Sequence, residues 1–196
     1  MDMTQTIASR IRDLAGGVVT VLWLAAGAAS ADGTFLQLDL ADRTSDAVVA
    51  ATRGDYSLSA NRSSYRSGWS AGAAVTRDLS FDGIVTLKVG PSIGRSAADG
   101  EWTPGLRVVA ERYLPTSFGF AFASGQYDTV DDAWFGLAQF GNRTGYGMEL
   151  TAGGSDAYSG RSVALTRRLG EGPVALRAGY RLLADEAFVG LSINTY

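Results

Sequence analysis

The stretch "GPVALRAGYRLL", residues 172–183, alternates large apolar side chains with charged or very small ones. At a period of two, successive side chains leave opposite faces of a β-strand, so Val174, Leu176 and Tyr180 share one face and Arg177 and Arg181 the other. In a soluble sheet the apolar row would cover a core, whereas in a membrane barrel it would face lipid and the arginines a polar lumen. The stretch predicts a strand and leaves both settings open.

The same alternation recurs along most of the chain. It is clearest in "WSAGAAVTR" (69–77), "GIVTLKVGPSIG" (83–94), "SFGFAFASG" (117–125) and "YGMELTAGG" (146–154), each read as a strand with one apolar face; in the third, that face is Phe118, Phe120 and Phe122. The opposite faces are built from Gly, Ser, Thr and Ala, which are unusual on a solvent-facing sheet. They predict a confined polar interior, whose charged candidates are Lys88, Arg107, Glu111, Glu149, Arg177 and Arg181.

Segments rich in Gly, Asp, Asn, Ser or Pro separate the alternating stretches and predict turns. Their number predicts an all-β fold, an antiparallel up-and-down transmembrane β-barrel of about 12 (10–12) short strands over residues 32–196. Ten strands result if "DAVVAAT" (46–52) and "YSLSAN" (56–61) are not separate strands. With both termini on one side, the longer turns fall on the opposite side; "RDLSFDG" (77–83) is a long exception.

The last ten residues, "AFVGLSINTY", end on an aromatic residue, as outer-membrane barrels commonly do. In such barrels apolar side chains are in step with the terminal aromatic. Here Val189, Leu191 and Ile193 are out of step with Tyr196, and a β-bulge would be needed to restore the phase.

The amino terminus has the features of a secretory signal peptide. Arg10 and Arg12 precede the apolar run "LAGGVVTVLWLAAGAA" (14–29), which ends in the small residues of Ala29-Ser30-Ala31. We therefore expect residues 1–31 to be removed and the mature protein to begin at Asp32, exported to the bacterial outer membrane. An uncleaved N-terminal anchor is the alternative.

Composition narrows the possible chemistry. The 196 residues include no His and no Cys, so Ser-His-Asp triads, thiolate metal sites and disulfides are excluded, and we expect a protein that is not an enzyme and needs no cofactor. A net charge of −3 gives no basic footprint for nucleic acid. Asp128, Asp131 and Asp132 in "YDTVDD" suggest a calcium loop, but their spacing matches none, and a solvated acidic loop without metal is expected.

The six interior candidates allow two interpretations. They line a path for solutes, or they pair with opposite charges and fill the barrel without transporting anything. Because buried charges must be paired, and because a small barrel has little space once its arginines are placed, structural pairing is the favoured interpretation.

The stretch "ERYLPTSFGFAFASGQYDTVDDAWFGLAQFG" (111–141), followed by "GPVALRAGY" and "AFVGLSINTY", resembles small outer-membrane barrels found with bacterial cellulose-synthase machinery. The tail "SVALTRRLG…LRAGY" is also similar to a second family of small barrels associated with surface polysaccharide. These resemblances imply a barrel fold and a role in exopolysaccharide biology, and they supply no catalytic residues.

Together these observations predict a non-enzymatic outer-membrane barrel, acting as an accessory, scaffold or narrow pore in envelope or exopolysaccharide (cellulose-type) biosynthesis and export. The expected partners are outer-membrane lipid and, as candidates, polysaccharide or a secretion-complex subunit, with no nucleic acid. One alternative is a soluble periplasmic β-sandwich or barrel that binds a ligand. Another is an envelope enzyme acting on lipid or glycan, which the absence of His disfavours.

Overall fold

The computed structural model describes residues 32–66, 68–81, 83–98, 100–156 and 158–196. The predicted signal peptide lies outside the described residues. The strands are β1 (Gly33–Ala41), β2 (Ser45–Arg53), β3 (Tyr56–Tyr65), β4 (Gly68–Phe81), β5 (Val85–Ser96), β6 (Thr103–Pro115), β7 (Gly119–Asp128), β8 (Ala133–Asn142), β9 (Tyr146–Ser155), β10 (Tyr158–Arg168), β11 (Val174–Arg181) and β12 (Glu186–Asn194). A 3₁₀ turn, Val130–Asp132, precedes β8. In the described ranges no helix is long and apolar enough to cross a membrane.

Each strand pairs antiparallel with the next, and β12 pairs with β1, where Phe35 lies opposite Asn194. The sheet is therefore a closed twelve-stranded barrel, as predicted, and it has no unpaired edge. The two weak segments are separate strands, β2 and β3, which are joined at a tight turn where Gly54 has φ 55°. That conformation favours glycine. The ten-stranded alternative is wrong.

The barrel has two ends. The "loop end" carries the hairpins β1–β2, β3–β4, β5–β6, β7–β8, β9–β10 and β11–β12. The "terminus end" carries the other five hairpins, the start of β1 and the end of β12. The longest connection, 97–102, is at the loop end, but the next longest, 169–173, is at the terminus end, so the expected difference in turn length is weak. The predicted long turn "RDLSFDG" is wrong, because Leu79 and Phe81 continue the outward alternation and β4 ends only at Phe81.

Large apolar side chains cover the outside of the barrel. Leu165 and Val189 are each 64 % exposed and Leu176 is 50 % exposed, while no large side chain among the described residues is fully buried. The apolar rows thus do not pack against one another, as they would in the core of a soluble sandwich. This arrangement contradicts the soluble reading in which those rows form a core.

Strand β7 reverses the predicted faces. Phe122 pairs with Tyr113 and Ser124 pairs with Glu111, whose carboxylate lies inside the barrel, so Phe120 and Phe122 point inward and their alanine neighbours point outward. The expectation that these phenylalanines form an outer apolar face is wrong. The polar half of the strand sets its phase, because Asp128 is buried in an interior ion pair and every second side chain follows it.

No β-bulge is needed to explain why the apolar side chains of β12 are out of step with the terminal Tyr196. Tyr196 lies beyond the end of β12, in step with the inward-facing Ser192 and Asn194. Its ring covers Gly33 so closely that a Cβ at that position would overlap it, and its hydroxyl is 3.0 Å from Oγ1 of Thr52. The terminal aromatic therefore closes over the inner face instead of continuing the outer row.

Candidate functional site

The interior of the barrel is polar. Most of the least exposed side chains in the described residues carry charges or hydroxyls, namely Asp39, Ser57, Thr76, Ser92, Ser96, Arg107, Asp128, Glu149, Arg177, Arg181, Glu186 and Ser192. Strand alternation accounts for this, since every second residue of each strand points inward. The interior charges form four ion-pair clusters, each named below after its cation.

The Arg177 cluster joins three strands that are not neighbours. From β11, Arg177 Nε donates to Oδ1 of Asp39 at 2.9 Å, and Nη1 donates to Oε2 of Glu149 at 2.5 Å. Gln37 donates to Asp39 at 2.7 Å, and Gln139 donates to Glu149 at 2.9 Å. With the longer bond from Arg177 Nη2 to Oδ2 of Asp39, 3.3 Å, every carboxylate oxygen of the cluster accepts a hydrogen bond. A buried charge set is tolerated in this form.

Glycines on neighbouring strands leave space for large side chains that point into the barrel. A Cβ at Gly190 would overlap the carboxylate of Asp39, and a Cβ at Gly179 would overlap the ring of Phe188. The small residues that mark the inner faces in the sequence are therefore packed against large inward side chains of neighbouring strands.

The Lys88 cluster is more open. Nζ of Lys88 lies 2.9 Å from Oε1 of Glu111 and 3.3 Å from Oδ2 of Asp78, and Ser57 bridges Lys88 and Asp78. Asp78 Oδ1 is buried and has no hydrogen-bond partner. This cluster is thus less completely satisfied than the Arg177 cluster.

The Arg107 cluster fixes the β7–β8 connection. Arg107 Nε donates to Asp128 Oδ2 at 2.8 Å, and the other oxygen of Asp128 accepts from Ser92 at 2.8 Å and from the backbone of Val130 at 2.9 Å. Asp128 is buried, so the expectation of a solvated loop is wrong for this carboxylate. Among the described residues no three His, Cys, Asp or Glu side chains are grouped so as to hold a metal ion.

Val130 extends this connection into the barrel. A Cβ at Gly94 would lie 2.8 Å from Cγ1 of Val130, and a Cβ at Gly105 would lie 2.6 Å from its Cγ2. Because Gly94 on β5 and Gly105 on β6 have no side chains, they leave space for Val130, which points inward from the loop end. This connection narrows the lumen on that side.

The Arg181 cluster lies at the loop end. Arg181 Nη2 donates to Asp46 at 2.6 Å, and its Nη1 is 3.6 Å from Glu186. Arg43, on the β1–β2 connection, donates to Glu186 at 3.0 Å, and this hydrogen bond raises the pKa of the Arg43 guanidinium. A depression of about 410 Å³ opens beside this cluster and is lined by Asp42, Arg43, Arg66, Asp185, Glu186 and Ala187.

Two tyrosines meet across the loop end of the lumen. Tyr65 on β3 and Tyr158 on β10 belong to strands far apart around the wall, yet their rings stack with centroids 5.9 Å apart. A Cβ at Gly160 would overlap the hydroxyl of Tyr158, so a glycine again makes room for the contact. The stack divides the opening at this end.

The structure places all six predicted interior residues inside the barrel, distributed over four clusters. Sequence reasoning missed five of their carboxylate partners, Asp39, Asp46, Asp78, Asp128 and Glu186. A signal existed for Asp39, because "FLQLDLA" (35–41) alternates Gln37 and Asp39 with three leucines. Asp128 and Glu186 lie at the ends of their strands, where the sequence pattern does not distinguish them from turn residues.

The described ion pairs join five cations to seven carboxylates. Each cation has at least one carboxylate partner, and three of them have two. The clusters therefore carry a net negative charge, and none of their cations is left without an anion.

Two solved structures share this architecture. One is described as "KdgM porin in complex with disordered oligogalacturonate", with a TM-score of 0.56 and 11 % identity over 84 % of this chain and 99 % of that chain. The other, "KdgM porin", has a TM-score of 0.55 and 10 % identity with the same coverage.

This structural similarity supports the conclusion that the chain folds as a porin-like barrel. No protein-family profile matches the chain, and no curated protein sequence matches it. These comparisons do not show the link to the cellulose-synthase machinery that the sequence resemblance implies, and that link stays a prediction.

Proposed function

We propose that this protein is a non-enzymatic outer-membrane channel that passes small cations and small uncharged polar solutes. The observation that carries the proposal is the reversal of a soluble protein's arrangement, with apolar side chains outside and ion-paired side chains inside. Transmembrane barrels have this arrangement, because hydrocarbon surrounds the wall and water fills the lumen.

The outer surface supports the lipid setting. Burying a leucine-sized side chain contributes about 1.5–3 kcal/mol, so exposure of Leu165, Val189 and Leu176 to water would forgo that contribution at each site. Monomeric soluble proteins rarely expose contiguous apolar patches larger than a few hundred Å². A closed barrel also satisfies its backbone hydrogen bonds internally, as the hydrocarbon region requires.

The charge of the interior supports a preference for cations. Seven carboxylates against five cations give the clusters a net negative charge, and carboxylate-lined pores favour cations. A polyanion such as the oligogalacturonate bound to the KdgM porin needs uncompensated cations, and every cation of these clusters is already paired. We therefore propose that this chain differs from that porin in the charge of its substrate.

Small size follows from the constrictions. The Tyr65–Tyr158 stack divides the opening at the loop end, and Val130 occupies part of the lumen beside Gly94 and Gly105. Replacing Tyr158 with Ala is expected to raise single-channel conductance about twofold, because the stack no longer divides the opening. Ser159→Ala, on the outward face of the same strand, is the matched control and is expected to leave conductance unchanged.

The deciding experiment is a planar-bilayer recording of the refolded protein in a KCl gradient. We expect discrete conductance steps and a reversal potential of the sign that indicates K⁺ preference over Cl⁻. Oligogalacturonate added to either side is expected not to block the current. A bilayer without conductance steps would mean that the clusters only fill the barrel, and the channel proposal would be wrong.

Location is tested by fractionation of cells that produce the full chain. We expect the protein in the outer-membrane fraction, with heat-modifiable migration in detergent gels and an N-terminal sequence starting at Asp32. Recovery from a detergent-free periplasmic extract would contradict the membrane setting. The finer role in exopolysaccharide export, which the sequence resemblance implies, is tested by whether deletion of the gene alters secreted polysaccharide.

A further inference from the structure

Two arginines on the outside of the barrel flank one small residue. Arg62 on β3 pairs in register with Ala71 on β4, and Ala71 pairs with Arg95 on β5. All three point outward, because their neighbours Asn61, Gly72 and Ser96 face the interior. Adjacent strands are about 4.8 Å apart, so the two arginine Cα atoms are separated by about 10 Å, with only a methyl group between them. We call this group the outer arginine pair.

The outer arginine pair differs from the interior cations in its partners. Within the described ranges, none of the ion pairs includes Arg62 or Arg95. Arg95 Nε is buried and has no hydrogen-bond partner, while its guanidinium lies 5.7 Å from the ring centre of Trp69. Arg62 is exposed. In the membrane setting proposed above, two positive charges that have no carboxylate partner among the described residues favour binding of an anion from outside the chain.

The position of the pair indicates where that anion would lie. The arginine of β5 is next to the strand's last residue, Ser96, at the loop end, and Trp69 is the second residue of β4. Trp102, just before β6, is 53 % exposed. Tryptophan is enriched where a membrane meets water, so this row lies at the level of lipid headgroups in the membrane setting proposed above.

In the proposed membrane setting we take the end with Asp32 and Tyr196 as periplasmic, so that the loop end faces outward. We propose that Arg62 and Arg95 bind a phosphate group of a phosphorylated glycolipid in the outer leaflet. A guanidinium presents paired N–H donors that match two phosphate oxygens, and a phosphate with more than one negative charge compensates both arginines at once. Ala71 leaves space for the phosphate between the side chains, and Trp69 holds Arg95 against the wall. Lipid phosphates are the abundant anions at this depth, and basic pockets on membrane proteins bind them. This inference rests on the proposed membrane setting and not on conduction.

The test uses the full chain refolded in uncharged detergent and titrated with lipid A that carries two phosphates, with Trp fluorescence as the readout. We expect saturable binding that is at least about tenfold weaker in Arg62→Gln/Arg95→Gln, because two charge-assisted contacts are lost. Arg62→Lys/Arg95→Lys keeps both charges without the paired donors and is expected to be intermediate. Arg161→Gln is the matched control: it removes an outward arginine near the same end that has Ala152 opposite it.

Lipid A lacking phosphates is expected to show no binding, and inorganic phosphate to bind much more weakly than the intact lipid. Equal affinity of the wild type and the double Gln variant, or equal affinity for the dephosphorylated lipid, would overturn the proposal. Tighter binding of inorganic phosphate than of lipid A would also overturn it. Should the double variant not refold, Arg62→Gln alone, at an exposed side chain, is expected to weaken binding about threefold.

The two proposals fail in different measurements. Conductance of the double Gln variant is expected to equal that of the wild type, since both side chains are outside the lumen. A wild type without conductance would contradict the channel and leave lipid binding measurable in detergent.

Discussion

The Arg177 and Lys88 clusters are built from the same kinds of groups, one cation and two carboxylates each, but their surroundings differ. In the Arg177 cluster the three charged side chains are 3–7 % exposed and every carboxylate oxygen accepts a hydrogen bond. In the Lys88 cluster they are 15–26 % exposed and Asp78 Oδ1 has no partner. If one member of a cluster is removed, water can therefore solvate the remaining charges of the Lys88 cluster better than those of the Arg177 cluster.

This comparison indicates how the interior divides its tasks. Desolvated ion pairs lose much when one member is removed, because the remaining charge is left buried, whereas partly hydrated pairs lose less. We infer that the Arg177 cluster ties β1, β9 and β11 together, and that the Lys88 cluster presents charge to passing solutes. The variants below test this division, from the largest expected effect on stability to the smallest.

Replacing Arg177 with Ala is expected to have the largest effect. Asp39 and Glu149 would be left buried without their cation, and a broken buried pair costs about 3–5 kcal/mol. Urea unfolding of the detergent-refolded protein measures the loss, and Arg161→Ala, on the outer face, is expected to change stability by less than about 0.5 kcal/mol. Equal stability of both variants would show that the cluster is not structural.

Replacing Gly190 with Val attacks the same cluster without removing a charge. The new side chain would overlap the carboxylate of Asp39 and displace it from Arg177, and we expect a loss of about 2–3 kcal/mol in the same unfolding assay. Gly125→Val is the matched control, since a Cβ at Gly125 has no atom within 4 Å. A similar loss in both variants would mean that the cost arises from valine in a strand and not from the cluster.

Replacing Lys88 with Ala is expected to cost only about 1–2 kcal/mol, because the side chains of Asp78 and Glu111 are 16 % and 26 % exposed and water can reach part of each. Channel measurements separate this cluster from the first: removing a lumenal cation is expected to strengthen the preference for K⁺ in reversal-potential recordings. An unfolding free energy reduced as strongly as in Arg177→Ala would remove the distinction between the two clusters.

Replacing Asp78 with Asn is expected to have the smallest effect on stability, less than about 1 kcal/mol in either direction, because one oxygen of Asp78 already lacks a partner and Lys88 keeps Glu111. The preference for K⁺ is expected to fall, since one negative charge is lost. Asp46→Asn, at the loop end beside Arg181, serves as a comparison for charge removal elsewhere in the lumen. Unchanged selectivity in Asp78→Asn would contradict the role of the Lys88 cluster in conduction.

Much of the barrel could be predicted from the alternation of residue types. Twelve strands and six inward charges follow from it, because the side-chain period of a strand is a local property. Which side chains of β7 point inward could not be predicted. The phenylalanines and Asp128 imply opposite orientations of the same strand, and only its pairing with β6 decides between them. The place of Tyr196 also depended on a distant group, Gly33 of β1.

The partners of the interior cations lay beyond the reach of any local pattern. Sequence alternation determined that Arg177 and Asp39 each lie on the face of their strand that is opposite the apolar side chains. Only the closed structure decided that they meet, since 138 positions separate them along the chain. The physical reason is that a strand's two faces are set by its own backbone, whereas contacts across the lumen depend on how many strands close the barrel and on the stagger between them.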